Sequence, residues 1–259
     1  MKAWLKKLRH PRRCYLVCAV ARSGSNMLTD GLHATRRAGR PNQYFLPSFE
    51  AYFGEQHSLS AADDFVRYVR GIVDRTATSN GVFGFKLMAW YLADFVARLR
   101  KSGAFGTAEA TEMEILRDAF PRLQFIHIAR RDRLQQAISK ARAIQTGLWK
   151  VQQGQTAAAD PEFDASLIDR CLWETEREEN VWSDFFQRNG IVPYEVEYEQ
   201  MCEDYEAIIA SVFEFLRITV PQKSRVVQPT TVRQSDGVSL EWRAQYLARQ
   251  TNNGHLASA

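Results

Sequence analysis

The chain of 259 residues is poor in cysteine: only Cys14, Cys18, Cys171 and Cys202. None forms a CxxC pair and none has a histidine at metal-ligand spacing, which argues against a disulfide scaffold and a structural metal. They read as reduced, mostly buried thiols in a reducing, cytoplasmic setting. No apolar run approaches the roughly 18 residues that a membrane span needs, so no transmembrane helix is expected. Internal repeats are absent, which argues against a solenoid. Charge of one sign is also scarce: 34 Lys and Arg against 30 Asp and Glu leave a net +4. That balance suits a small anionic ligand and does not call for nucleic acid.

What is present is one chain's worth of α/β signals. The segment 1–13 is a basic leader running into YLVCAV, an apolar run too short for a signal peptide and followed by RSGS instead of a cleavage site. It reads as a solvated tail, with peripheral contact to an anionic membrane surface as the second option. Short apolar runs predict strands over 15–20, 82–88, 125–129 and 193–198. Between them, 3.6-residue periodicity predicts helices over 25–37, 61–75, 91–101, 109–119, 132–145, 163–187, 205–216 and 241–249. Segments 150–161 and 230–237 read as polar loops, 39–80 as largely irregular, and 250–259 as a flexible tail. Strands alternating with helices predict a single domain over 1–259, an α/β fold with a parallel sheet flanked by helices. Ligands in such sheets bind at the carboxyl ends of the strands.

The candidate site residues fall there. Arg22-Ser23-Gly24-Ser25-Asn26 follows the first strand and opens the first helix. Free helix N–H groups, a glycine permitting close approach, two hydroxyls and a guanidinium make an anion site, although an ordinary N-capped turn would use similar residues. A nucleotide kinase is disfavoured. The motif GxxxxGK[ST] is missing, no lysine follows Gly24, and the third strand ends in Arg130-Arg131 where a metal-holding aspartate would stand. Arg130 with Ser139 offers a second phosphate grip, or else merely decorates a helix start. Lys86 lies in the apolar strand GFGFKLM. It is placed either to neutralise charge on a transferred group or to snorkel from a strand end. Arg233 and Gln234 sit in the C-terminal polar loop, weak candidates by themselves.

Taken together, YLVCAVARSGSNMLTDGLHATRRAGRPNQYF, NGVFGFKLM, FIHIARRDRLQQAISKARAIQTGLW and the closing RQSD…EW resemble the bacterial trehalose 2-sulfotransferase family, in order and in spacing. The resemblance implies a P-loop-like sulfotransferase fold. It also implies 3′-phosphoadenosine 5′-phosphosulfate (PAPS) as donor and adenosine 3′,5′-bisphosphate as product, without a metal. The acceptor would be the hydroxyl of a trehalose-like carbohydrate or glycolipid. By similarity Arg22 to Asn26 would hold the 5′-phosphosulfate, Arg130 and Ser139 the 3′-phosphate, and Arg233 and Gln234 would lie in a closing loop. A homodimer is the expected assembly.

One position departs from the family. Where its pattern reads AGEPQEFF and the second Glu is the proposed general base, this chain reads AGRPNQYF. Gln43 stands at the position of the base, and an amide accepts no proton from a hydroxyl. Glu50, Glu55, His57 and His127 are the alternative bases nearest in sequence, with His127 read first as a structural residue. Residues 43–60 are expected either to line the acceptor pocket or to supply aromatics to the core or a dimer contact. A non-catalytic nucleotide-binding protein of the same fold is the competing reading that Gln43 supports.

Overall fold

The structure is a computed structural model that describes residues 11, 13–149, 160–219 and 237–256, with side chains to Thr251. Strand β1 (Arg13–Ala19) is buried over all but its first residue, because its run of apolar residues is covered on both faces. It pairs in parallel with β2 (Val82–Met88) on one side and with β3 (Leu123–Ala129) on the other. β4 (Tyr194–Glu197) adds to β3, giving the order β2-β1-β3-β4. All the ladders among the described residues are parallel, so the carboxyl ends of the four strands share one edge of the sheet.

Helix α1 (Ser25–Ala34) leaves the end of β1, α4 (Leu92–Lys101) follows β2 after a 3-10 turn at Ala89–Tyr91, and α6 (Arg133–Thr146) follows β3. Helix α2 (Pro47–His57) and α3 (Phe65–Thr76) fill the connection between α1 and β2, and α5 (Glu112–Ala119) precedes β3. Helix α7 (Ala165–Arg188) precedes β4, followed by α8 (Tyr198–Glu203), α9 (Tyr205–Phe215) and α10 (Gly237–Leu256). Two of these were not legible in the sequence. α2 occupies part of the stretch expected to be irregular, and α8 occupies the corner after β4. The last helix runs on to Leu256, well past the expected end near residue 249 and into the segment expected to be a flexible tail.

The core has two parts. Around the sheet, Phe45, Phe83, Phe85, Phe95 and Phe120 form a ring cluster, with Phe45 stacked on Phe95 at 4.9 Å and Phe85 against Phe120 at 4.5 Å. Of the aromatics in 43–60, Tyr44, Phe45 and Phe53 are therefore core residues, while Phe49 and Tyr52 stay exposed. A second cluster joins α6, α7 and α10 through Ala137, Ile138, Ala141, Leu167, Ile168, Cys171, Trp242 and Tyr246. The cysteines are all free thiols, and burial pushes the Cys14 thiol up to about 12. No helix among the described residues is long and apolar enough to cross a membrane.

Gly84 in β2 faces its register partner Tyr15, whose buried hydroxyl donates to Ala38 O at 2.7 Å. A Cβ at Gly84 would lie 2.2 Å from Tyr15 Cζ. Gly84→Ala must displace that ring and should cost about 1–3 kcal/mol, as other overpacked cores do. Urea denaturation checks this, and an unchanged midpoint would contradict it.

Candidate functional site

The anion loop is built by the way β1 ends. Beyond Ala19 the chain turns through Arg22 (φ 64°) and Gly24 (φ 89°) into α1. Two helices hold this turn from the side: Trp182 Nε1 donates to Ala19 O at 3.0 Å from α7, and Gln136 Nε2 donates to Ala21 O at 2.9 Å from α6. Gly24 is required on two counts. Its backbone is left-handed, and a Cβ there would meet Tyr198 Cδ2 at 2.3 Å. As the N-cap of α1 it supplies no side-chain acceptor, so the first-turn N–H groups and the positive end of the helix dipole are left for another acceptor.

Cationic side chains converge on this turn. Arg22 Nε donates to Ser139 Oγ at 2.9 Å and its Nη1 to Trp149 O. Burial first, and then the neighbouring Arg130, bring its pKa down to about 10. Arg130 itself is buried, lies over the Tyr198 ring at 4.7 Å, and approaches Glu199 only to 3.8 Å. Its Nε has no hydrogen-bond partner among the described residues, and neither does the buried Ser23 Oγ. Lys86 is buried as well. It does not snorkel: its Nζ reaches across from β2 to Asn26 Oδ1 at 2.5 Å and Ser25 Oγ at 3.4 Å, both in the first turn of α1.

The structure thus gathers Arg22, Ser23, Gly24, Ser25, Asn26, Lys86, Arg130 and Ser139 at one end of the sheet. Ser139 sits against Arg22; the expected pairing was with Arg130. Gln43 is half-buried and follows Asn42, whose carbonyl accepts from Lys86 N at 3.0 Å, so its backbone runs along the edge of β2. Glu50 is buried on α2 with both oxygens taken by Arg98 at 2.8 Å, which occupies it structurally. It borders a cleft of about 680 Å³ between α2 and α3, together with Glu55. His57 closes α2; burial, then Arg75 and Arg40, lower its pKa. Arg233 and Gln234 lie outside the described residues, as do the leader residues 1–10 and most of the two expected polar loops. Sequence reasoning missed Gln136, Trp182 and Tyr198, which shape the loop. Each sits on a helix or corner whose apolar neighbours dominated the pattern.

A family model for the Stf0 sulphotransferase family matches residues 14–249. The chain belongs to that family. Among curated proteins it is 28% identical to the trehalose 2-sulfotransferase of Mycobacterium tuberculosis, over 93% of this chain and 97% of the relative. It is 28% identical to that of Mycolicibacterium smegmatis, over 92% and 95% respectively. Among solved structures, a sulfotransferase from Alicyclobacillus acidocaldarius covers 92% of each chain at 13% identity with a TM-score of 0.44. Membership in this sulfotransferase family accords with a turn that gathers arginines and a lysine around a helix N-terminus. Among the described residues no group of three or more His, Cys, Asp and Glu is placed to hold a metal ion.

His127, on β3, sits between two carboxylates. Its Nδ1 meets Glu195 at 2.8 Å and its Nε2 meets Glu179 at 3.2 Å, with Arg133 on the other oxygen of Glu179 at 2.6 Å. Burial opposes the imidazolium, but the two carboxylates outweigh it and raise the pKa from 6.5 to about 9. A raised folded pKa stabilises the protein fully below about 6.5, and that contribution is lost as pH climbs through about 9. Glu179, held below the usual carboxylate range by His127 and Arg133 despite its burial, loses its share as pH falls. The melting-temperature gap between wild type and His127→Gln should therefore be widest near pH 6 and shrink by pH 9.5. A gap constant over that range would contradict the assignment.

Proposed function

We propose that this chain is a PAPS-dependent sulfotransferase that modifies a hydroxyl of a carbohydrate, with trehalose as the first acceptor to try because the curated relatives carry that name. The observation that carries the reading is the gathering of positive charge, buried at Arg130 and Lys86 and half-buried at Arg22, at an uncapped helix end. Arg22, Arg130 and Lys86 converge there, and Ser23 Oγ and Arg130 Nε are left without hydrogen-bond partners among the described residues. Buried donors of this kind are costly unless a ligand satisfies them, and an anion with several oxygens would do so. When bound, PAPS supplies the sulfuryl group and leaves as adenosine 3′,5′-bisphosphate.

The residues divide the work as follows. The Arg22–Asn26 turn and the first N–H groups of α1 would hold the 5′-phosphosulfate. Arg130, whose guanidinium is braced by Tyr198, would take the 3′-phosphate, with Ser139 anchoring Arg22 alongside. Lys86 and Asn26 act as one unit that neutralises charge building up between the sulfuryl and its leaving phosphate. The competing reading is a nucleotide-binding protein without turnover; Gln43, which cannot accept a proton, is what favours it.

The deciding measurement is a thermal shift with adenosine 3′,5′-bisphosphate, run beside Mg²⁺–ATP, because a ligand that binds only the folded state raises the melting temperature by mass action. A shift with the bisphosphate alone is expected; a shift with Mg²⁺–ATP alone would sink the donor assignment. Arg22→Ala should weaken bisphosphate binding by about 1.5–3 kcal/mol, the range for a lost hydrogen bond to a charged group. Unchanged affinity by calorimetry would remove the anion-loop argument. Bisphosphate binding without transfer to any acceptor would select the non-catalytic reading.

A further inference from the structure

Gln43 leaves the reaction without its family base, so the question is whether another carboxylate reaches the same end of the sheet. Helix α7 runs antiparallel to the strands. Phe186 packs on Phe125 and His127, Glu179 meets His127, and Trp182 meets Ala19 at the last residue of β1. Moving from Trp182 toward the N-terminus of α7 therefore passes the end of β1. At 1.5 Å per residue, Glu178 lies about 6 Å and Thr175 about 10 Å beyond it. Trp182, Glu178, Thr175 and Cys171 recur at helical spacing and so share one face. Helix α7 packs against the 3-10 turn at Ala89–Tyr91, directly after the strand that carries Lys86, and its Glu174 and Glu178 meet Lys140 of α6, the helix that carries Ser139.

On this face two oxygens are unsatisfied. Thr175 is 1% exposed and its Oγ1 has no hydrogen-bond partner among the described residues. Glu178 Oε1 accepts from Lys140 Nζ at 3.2 Å, while its buried Oε2 has none. Lys140 is also paired with Glu174 at 3.0 Å and adjoins Ser139, the residue that holds Arg22. A carboxylate fixed on one oxygen and orphaned on the other, one turn from an orphaned hydroxyl, matches the needs of a bound polyol. The hydroxyl that reacts gives its proton to the carboxylate, and a neighbouring hydroxyl pairs with the threonine.

Resting on the sulfotransferase reading above, we propose that Glu178 and Thr175 bind the sugar acceptor and that Glu178 is the proton acceptor that Gln43 cannot be. The acceptor oxygen forms a bond to sulfur as the bond from sulfur to the phosphate oxygen breaks. The electron pair departs on the bisphosphate, and the hydroxyl proton passes to Glu178 Oε2 and from there to solvent.

The test uses the full chain with trehalose, glucose and methyl α-glucoside as probe acceptors, and measures bisphosphate affinity by calorimetry beside turnover. Glu178→Gln should keep bisphosphate affinity within about twofold and lose turnover by about 100-fold or more, the usual scale for a general base. Adding Gln43→Glu in that background should restore part of the rate, which a purely structural role for Glu178 would not allow. Thr175→Val should leave the melting temperature unchanged or higher, since it removes an unsatisfied hydroxyl, while raising the acceptor KM about tenfold. Full turnover in Glu178→Gln, or a parallel loss of bisphosphate affinity, would overturn the proposal alone, as would a wild type that binds the bisphosphate but sulfates none of the three sugars. A wild type that does not bind the bisphosphate would overturn the donor reading together with it.

Discussion

At the end of β1 the carbonyls of Ala19 and Ala21 are met by side chains, the indole of Trp182 and the amide of Gln136. Those two hydrogen bonds come from α7 and α6, so the shape of the turn at Arg22–Gly24 is set from outside the turn itself. The positive φ of Arg22 is a backbone cost that a free loop would relax. It persists because the guanidinium is tethered to Ser139 and Trp149, which belong to the same α6 segment and its exit. Remove either helix contact and the loop has no reason to keep its first-turn N–H groups together.

Charge at this edge is distributed unevenly, and the imbalance is informative. Several arginines elsewhere are matched closely: Arg98 with Glu50, Arg188 with Glu112, Arg243 with Asp132. Around the turn, Arg130 lowers the pKa of Arg22, and Glu199, which reaches Arg130 only at 3.8 Å, accepts from the N–H groups of Arg131 and Asp132 at the entry to α6. Burying guanidinium groups beside one another is unfavourable unless an anion joins them. Lys86 reaches the same turn through Asn26 Oδ1 and Ser25 Oγ.

How much of this was legible in the sequence depended on whether a residue's neighbours shared its environment. The strand at Val82–Met88 and the opening of α1 at Ser25 coincide with expectation, because an apolar run bounded by glycine and a polar turn has few alternatives. The convergence of Lys86 on Asn26 was not legible. The two lie 60 positions apart, and parallel pairing of β1 with β2 brings them together. α2 escaped notice because its apolar residues do not fall on one stripe: Phe49 and Tyr52 point outward while Glu50 is buried against Arg98. Tyr198 looked like the end of a strand, and its use as the floor under Gly24 follows only from the corner between β4 and α8.

The same effect hid Thr175 and Glu178. In the sequence α7 shows an apolar stripe through Leu167, Ile168, Cys171, Trp182, Phe185 and Phe186, and polar residues between those positions read as the solvated side. In the fold the stripe is interrupted because α7 leaves the sheet: Trp182 and Phe186 cover β1 and β3, whereas the first turns of the helix pack against α6 and α10. A helix that overshoots its sheet can place polar groups on its core-facing side without disrupting the core, which makes the overshoot a natural wall for a site at the strand ends. A substitution such as Gln43 at the edge of β2 then need not abolish proton transfer. The opposite wall already carries a carboxylate held in place by Lys140, and the constraint that matters is which side of the acceptor the carboxylate approaches.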